Sequence, residues 1–165
     1  MRRSLLSRPA ATGALLLCGG LFGALAGAGT YTAYVAKAAS YLSDDPAACV
    51  NCHIMDEAYD SWAKSAHHAR AVCNDCHVPH DSFVHKYYVK AEHGYRHSLR
   101  FTLQDFHEPL QITPHSLRVV NDNCARCHGA LTHDIRDAHL DRIAGDTGGL
   151  DCVRCHAAVA HGALR

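Results

Sequence analysis

The segment CVNCHIM at positions 49–55 contains the first of four Cys-x-x-Cys-His motifs in this chain. The other three are CNDCH at 73–77, CARCH at 124–128 and CVRCH at 152–156, and the four motifs use every cysteine except Cys18. This spacing is typical of covalent c-type haem attachment, with the histidine placed to ligate the iron. A zinc site or disulfide bonds would require only the cysteines, so neither explains a histidine after each pair. The motifs therefore predict four covalently bound c-type haems.

The four haems also determine the expected fold class. Residues 41–165 would normally build one domain around an apolar core, but here four porphyrins must be buried and would form much of that core. We therefore expect a compact tetrahaem cytochrome c domain, mainly α with extensive loops and little or no β-sheet. The predicted attachment residues are the two cysteines of each motif: Cys49, Cys52, Cys73, Cys76, Cys124, Cys127, Cys152 and Cys155.

Residues 1–40 form a separate segment. Between Arg8 and Lys37 lie 28 residues without a charged side chain, whereas a helix needs only about 20 residues to cross the hydrocarbon core of a membrane. The alternative is a cleaved signal peptide with AGA at 26–28 as its cleavage site. We favour an uncleaved transmembrane anchor, because the apolar run continues past that site to Val35.

The distribution of charge predicts the orientation of this anchor. Arg2, Arg3 and Arg8 precede the apolar run, whereas all sixteen acidic residues lie at or after Asp44. The positive-inside rule then places the N-terminus in the cytoplasm. We expect a single-pass protein of the inner membrane, with residues 41–165 in the periplasm.

Two further patterns concern the membrane. Gly19, Gly23 and Gly27 recur every four residues and share one helix face. Small residues there would permit close helix–helix contact and self-association. The alternative is that glycine and alanine are simply common in this segment. In the middle segment, 83–118, tyrosine and phenylalanine alternate with lysine and arginine at helical spacing. This favours a helix lying on the membrane surface over a solvated helix.

The chain resembles the NapC/NirT family of membrane-bound multihaem cytochromes c in four segments: CVNCHIM, HHARAVCNDCHVPH, VVNDNCARCH and CVRCHAAVAH. Within that family it is similar to the NrfH-type small subunits of cytochrome c nitrite reductase over nearly the whole chain. The resemblance implies that the chain oxidises menaquinol and passes electrons to a periplasmic catalytic subunit that reduces nitrite to ammonium. It would then be the electron-transfer subunit and not itself the nitrite-reducing one.

The same resemblance implies ligands for the first and last haem irons. Met55, and not His53, would ligate haem 1. His156 would ligate haem 4, whose sixth ligand would be a lysine of the catalytic subunit. His133 and His139 are the alternatives for that sixth ligand within this chain.

For the two middle haems the resemblance implies pairs of histidines. His77 and His161 would ligate haem 2, and His128 and His68 would ligate haem 3. His67 is adjacent to His68 and stays an alternative. The other histidines are interpreted as surface or packing residues: His80, His85, His93, His107 and His115.

The quinol site is implied at two positions seven residues apart. Lys90 matches the lysine of the family's quinol pocket, but the acidic residue that follows it in the family is replaced here by His97. An imidazole accepts a proton near neutral pH more readily than an unperturbed carboxylate does, and it also binds iron. Both roles of His97, proton acceptor or distal ligand of haem 1, stay open.

Other functions fit parts of the sequence. The chain would be a soluble periplasmic tetrahaem carrier if the anchor were removed. Alternatively, it would be a quinol dehydrogenase that serves another reductase, for nitrate or an amine oxide. A further alternative is a self-sufficient reductase, which would need an open iron that the substrate can reach. We expect menaquinol and membrane lipid among its partners, and no nucleic acid.

Overall fold

The computed structural model describes residues 8–140 and 151–162. Within these two ranges the chain is helical and contains no strand, which confirms the predicted mainly α fold. The chain divides into two compact units, Met1–Ala39 and Ser40–Arg165.

The first unit contains one long helix, α1, over Arg8–Val35. Its segment Ala10–Val35 has a mean hydropathy of 1.7, and none of the most apolar window is buried within the protein. The hydroxyl of Thr32 donates to the carbonyl of Ala28 at 2.8 Å, so this polar group is satisfied within the helix. By length and composition α1 is able to cross a membrane.

After α1 the chain forms short 3-10 turns, the first of which starts two residues before the second unit, and then α-helices. The turns span Ala38–Leu42, Pro46–Asn51 and His53–Met55. The α-helices described in this unit are, in chain order, α2 (Asp56–Ala63), α3 (Cys73–His77), α4 (Phe83–Leu103), α5 (Pro114–Leu140) and α6 (Cys152–Cys155). The second, third and fourth Cys-x-x-Cys-His motifs lie on or at the end of α3, α5 and α6, whereas the first runs from one 3-10 turn into the next through the extended residue Cys52.

Helix α4 accounts for most of the middle segment. It begins after Ser82, whose side-chain oxygen accepts a hydrogen bond from the N–H of His85 at 3.1 Å, as expected for an N-terminal cap. It ends at Gln104, which adopts a left-handed conformation with φ of 54°. Val89 is fully buried, and the large apolar side chains that α4 exposes include Val84, Tyr88, Tyr95 and Leu99. The helix is thus present, and its position on a membrane surface stays a prediction.

The apolar core of the described residues is small. Its members are Ala48, Ala58, Trp62, Val78, Val89, Val119 and Val120. Val78 and Val89 are the largest side chains in the described part of the chain that are essentially inaccessible to solvent. Such a core suits a protein in which bound porphyrins supply much of the buried apolar surface.

One buried polar residue joins α5 to the second motif. Asn123, which is 6% exposed, donates its side-chain amide to the carbonyls of Cys76 at 3.0 Å and Val78 at 2.8 Å. Both carbonyls lie at the end of α3, where helical partners are missing. Asn123 thus fixes the position of the second motif against the third.

Replacing Asn123 with leucine should destabilise the holoprotein, because it leaves the two carbonyls without their donor. A buried polar group without a partner costs about 1–3 kcal/mol, so we expect the Tm to fall by about 5 °C or more. Thermal unfolding followed by circular dichroism measures this fall. Asp122→Asn, at the preceding exposed position, is the control and should leave the Tm unchanged. Equal Tm values for both variants would contradict the role of Asn123.

Candidate functional site

The cysteines of the motifs meet in pairs. All nine cysteines of the chain lie among the described residues, and none of them forms a disulfide bond there. The thiols of Cys49 and Cys73 share a hydrogen bond, which lowers the pKa of Cys49 to about 7. The thiols of Cys124 and Cys152 are also hydrogen-bonded, and burial raises the pKa of Cys124 to about 11. The first motif therefore lies beside the second, and the third beside the fourth.

The second and third motifs are also neighbours. Asn123, next to the third motif, bonds to the carbonyl of Cys76, and Arg126 inside that motif donates to the carbonyl of Asp75 at 3.4 Å. The four motifs are thus neighbours in chain order, first to second, second to third and third to fourth. This arrangement can hold four redox groups in a continuous row.

His77 and His161 form a parallel pair. Their ring centroids are 6.2 Å apart and their planes differ by 9°. An iron between two imidazoles needs a centroid separation of roughly 6 Å, given metal–nitrogen bonds of about 2 Å. Burial lowers the pKa of His77 to about 4, and the neighbouring His161 adds to this shift. His77 is therefore neutral at physiological pH, which is the form that binds a metal.

A second histidine pair forms at the third motif. The ring centroid of His128 lies 6.2 Å from that of His67, a separation that again suits an iron between them. The Nδ1 of His67 lies 3.1 Å from the carbonyl of Val159, and such a bond orients the ring and leaves Nε2 for a metal. His68 instead packs edge-on against Trp62, with centroids 4.8 Å apart. The structure thus brings His67, and not His68, to His128.

The first motif offers two unequal donors. Met55 is half-buried at the end of its 3-10 turn, and its N–H donates to the carbonyl of Cys52 at 2.9 Å. The His53 side chain is 96% exposed, and its Nδ1 lies 3.3 Å from Asp56 at the start of α2. The thioether is therefore the more enclosed of the two groups.

The fourth motif ends at His156, which follows α6 and is exposed. His133 is exposed on α5. His139 belongs to α5 by its backbone, but its side chain lies outside the described part of the chain.

Lys90 is held tightly within the second unit. Its ammonium donates to the carbonyl of Ser43 at 2.7 Å, the carbonyl of Leu42 at 3.3 Å and a carboxylate oxygen of Asp44 at 2.8 Å. The side chain is only 9% exposed. A partly buried ammonium of this kind is suited to bind an oxygen atom that becomes negatively charged.

His97 lies seven residues after Lys90, on the same face of α4 because seven residues make almost two turns. Its ring stacks on His93, with centroids 5.8 Å apart. Burial lowers the pKa values of both imidazoles, so both are neutral bases at physiological pH. His93 is further connected through its Nε2 to the hydroxyl of Ser116 at 3.4 Å.

Two residues of this region were not singled out from the sequence. His93 was interpreted as a surface or packing residue, although its spacing of four from His97 could have indicated a shared helix face. Asp44 gave no such signal, since its partners Lys86 and Lys90 are more than forty positions away.

Cysteines in four haem-attachment motifs, together with two pairs of facing imidazoles, fit covalently bound haem and define a multihaem c-type cytochrome. Residues 7–165 match the model of the NapC/NirT cytochrome c family, N-terminal region. The chain belongs to this family, and its members carry covalently bound haem.

Two curated proteins are similar to the chain. Cytochrome c-type protein NrfH of Wolinella succinogenes is 43% identical over 102 residues, which cover 62% of this chain and 58% of that protein. Cytochrome c nitrite reductase subunit NrfH of Nitratidesulfovibrio vulgaris is 36% identical over 80 residues, which cover 48% and 49%. The chain therefore matches about half the length of these curated relatives.

The fold has a solved counterpart. It resembles a chain in the crystal structure of the cytochrome c nitrite reductase NrfHA complex bound to the HQNO inhibitor. The TM-score is 0.58 at 28% sequence identity, and the match covers 92% of both chains.

Proposed function

We propose that this protein is a membrane-anchored tetrahaem cytochrome c that takes electrons from menaquinol and passes them to a periplasmic cytochrome c nitrite reductase. The observation that carries this proposal is the row of four neighbouring motifs in a chain that also has a membrane-length apolar helix. The names of its relatives support the choice of nitrite reductase as partner. The arginines before the apolar run of α1 support an N-terminus in the cytoplasm and a haem domain in the periplasm.

Four pairs of cysteines would attach the haems, and bound haem supplies one-electron redox chemistry that quinones and nitrite reductase can both use. This chain's residues set the order of the haems and the donors that face each iron. We assign His77 and His161 to haem 2, and His156 to haem 4 together with a lysine of the partner. For haem 1 we assign Met55, because it is more enclosed than His53.

For haem 3 we assign His128 and, on the geometry of the rings, His67. His67→Leu should convert one low-spin haem signal to a high-spin one, because leucine has no donor atom. Electron paramagnetic resonance of the oxidised full-length protein measures the change. His68→Leu is the matched control at the adjacent position and should leave the signals unchanged. The reverse result would assign His68 to haem 3.

The quinol site is proposed around Lys90 and His97, which lie on one face of α4. Oxidation of a quinol releases two protons and two electrons, so the site needs a hydrogen-bond donor for a developing quinolate and a base for the proton. Lys90 supplies the donor, because its ammonium is partly buried and charged. His97 supplies the base, because burial keeps its imidazole neutral and able to accept a proton.

The proposal is tested on the purified full-length protein in detergent. The intact mass should equal the polypeptide with residues 1–40 retained plus four haems, and menaquinol should reduce the haems. A mature chain that lacks the N-terminal helix would favour a soluble carrier. A protein whose haems are reduced by dithionite but not by menaquinol would overturn the role as a quinol dehydrogenase.

A further inference from the structure

Asp44 links two lysines on α4 to the second motif. One carboxylate oxygen lies 2.5 Å from the ammonium of Lys86, and the other lies 2.8 Å from that of Lys90. The oxygen that meets Lys90 also accepts a hydrogen bond from the side-chain amide of Asn74 at 2.9 Å. This amide lies inside the second motif, CNDCH.

The charge state of this cluster is fixed by its own contacts. Hydrogen bonds from Lys86 and Lys90 hold the pKa of the Asp44 carboxyl well below its usual range. Asp44 therefore stays ionised throughout the pH range in which the protein functions and is too weak a base to accept a proton from a quinol. With two ammonium groups and one carboxylate, the cluster carries a net positive charge.

The hydrogen bonds of Lys90 determine where its ammonium group points. All three ammonium protons have an acceptor, and the 3.3 Å contact to the Leu42 carbonyl is the longest and hence the weakest. That carbonyl also accepts from the hydroxyl of Tyr87 at 3.4 Å, so it keeps a partner if Lys90 turns away. One N–H of Lys90 can thus exchange the Leu42 carbonyl for a ligand oxygen as its hydrogen-bond acceptor. The other two N–H groups stay bonded to Ser43 and Asp44.

We propose that Asp44 is a positioning residue of the quinol site, an inference that rests on the proposed function. Its carboxylate holds the flexible lysine side chain so that one N–H can leave Leu42 for a quinol oxygen. A lysine ammonium on four rotatable bonds has no such fixed direction without an anchor. Lys86 keeps the cluster positive, which favours the anionic form of a quinol that has lost one proton.

The test uses full-length holoprotein and the soluble quinol menadiol. Asp44→Asn removes the negative charge while keeping the shape of the side chain. We expect the KM for menadiol to rise about tenfold, the effect of losing one charge-assisted hydrogen bond. The value of kcat should change much less. Haem content, optical spectrum and the rate of reduction by dithionite should equal those of the unmodified protein.

Two variants distinguish positioning from a general structural effect. Asp44→Glu restores the charge and should recover most of the affinity for menadiol. Asp105→Asn removes a carboxylate whose pair with Arg100, at 3.6 Å, lies at the other end of α4, and it should leave the KM unchanged.

Three outcomes would overturn the inference. The first is an Asp44→Asn protein with an unchanged KM. The second is an Asp44→Asn protein that loses haem or is reduced abnormally by dithionite, since Asp44 would then act on the fold. The third is unmodified protein that oxidises no quinol at all, which would also overturn the proposed function.

Discussion

Met55→His should leave all four haems attached but reduce electron entry from quinol by about a hundredfold. Imidazole stabilises ferric iron relative to a thioether, so the reduction potential of haem 1 should fall. A fall of about 120 mV changes the equilibrium of a one-electron transfer by about a hundredfold. A spectroscopic redox titration measures the potential, and rapid mixing with menadiol measures the rate.

Ile54→His is the control for Met55→His. It places an imidazole at the adjacent, exposed position while the thioether is retained, and it should leave the potential unchanged. If Met55→His left the potential unchanged and His53→Ala shifted it, His53 would be the ligand of haem 1.

The second large effect is expected at the quinol site. Lys90→Leu should slow quinol oxidation by about a hundredfold, the typical loss when one preorganised donor to a developing negative charge is removed. The haem spectra should not change, because the hydrogen bonds of the Lys90 ammonium go to Ser43, Leu42 and Asp44, none of which is assigned as an iron ligand. Lys64→Leu, at an exposed position outside the site, is the matched control and should oxidise quinol normally.

His97→Ala separates the two roles that the sequence leaves open for this residue. Slow quinol oxidation with unchanged haem spectra would identify a proton acceptor, and a changed haem 1 spectrum would identify a distal ligand. If both Lys90→Leu and His97→Ala oxidised quinol at the normal rate, the quinol site would lie elsewhere.

The features that could be predicted from the sequence are those determined by local patterns of residues. The uncharged run between Arg8 and Lys37 predicted the helix found at Arg8–Val35, since length and composition suffice for a membrane-spanning helix. The spacing of aromatic and basic residues predicted α4. The motifs predicted haem attachment, because the chemistry requires that local arrangement of cysteines and histidine.

Contacts between distant parts of the chain could not be read from the sequence. His67 and His68 are adjacent and chemically identical, and tertiary packing distinguishes them: His68 packs against Trp62, whereas His67 lies beside His128. Asp44 gives no periodic signal, because its lysine partners lie on a helix that follows two of the motifs.

The most direct test of the account is nitrite reduction driven by menaquinol. Full-length protein is reconstituted into liposomes that contain menaquinol, and purified cytochrome c nitrite reductase is added outside. Nitrite is then supplied. We predict that ammonium forms only when this protein, menaquinol and the reductase are all present. Three menaquinols should be oxidised for each nitrite, because the reduction to ammonium takes six electrons. The account would be contradicted if no ammonium formed although menaquinol reduced the haems of this protein and the reductase was active with an artificial electron donor.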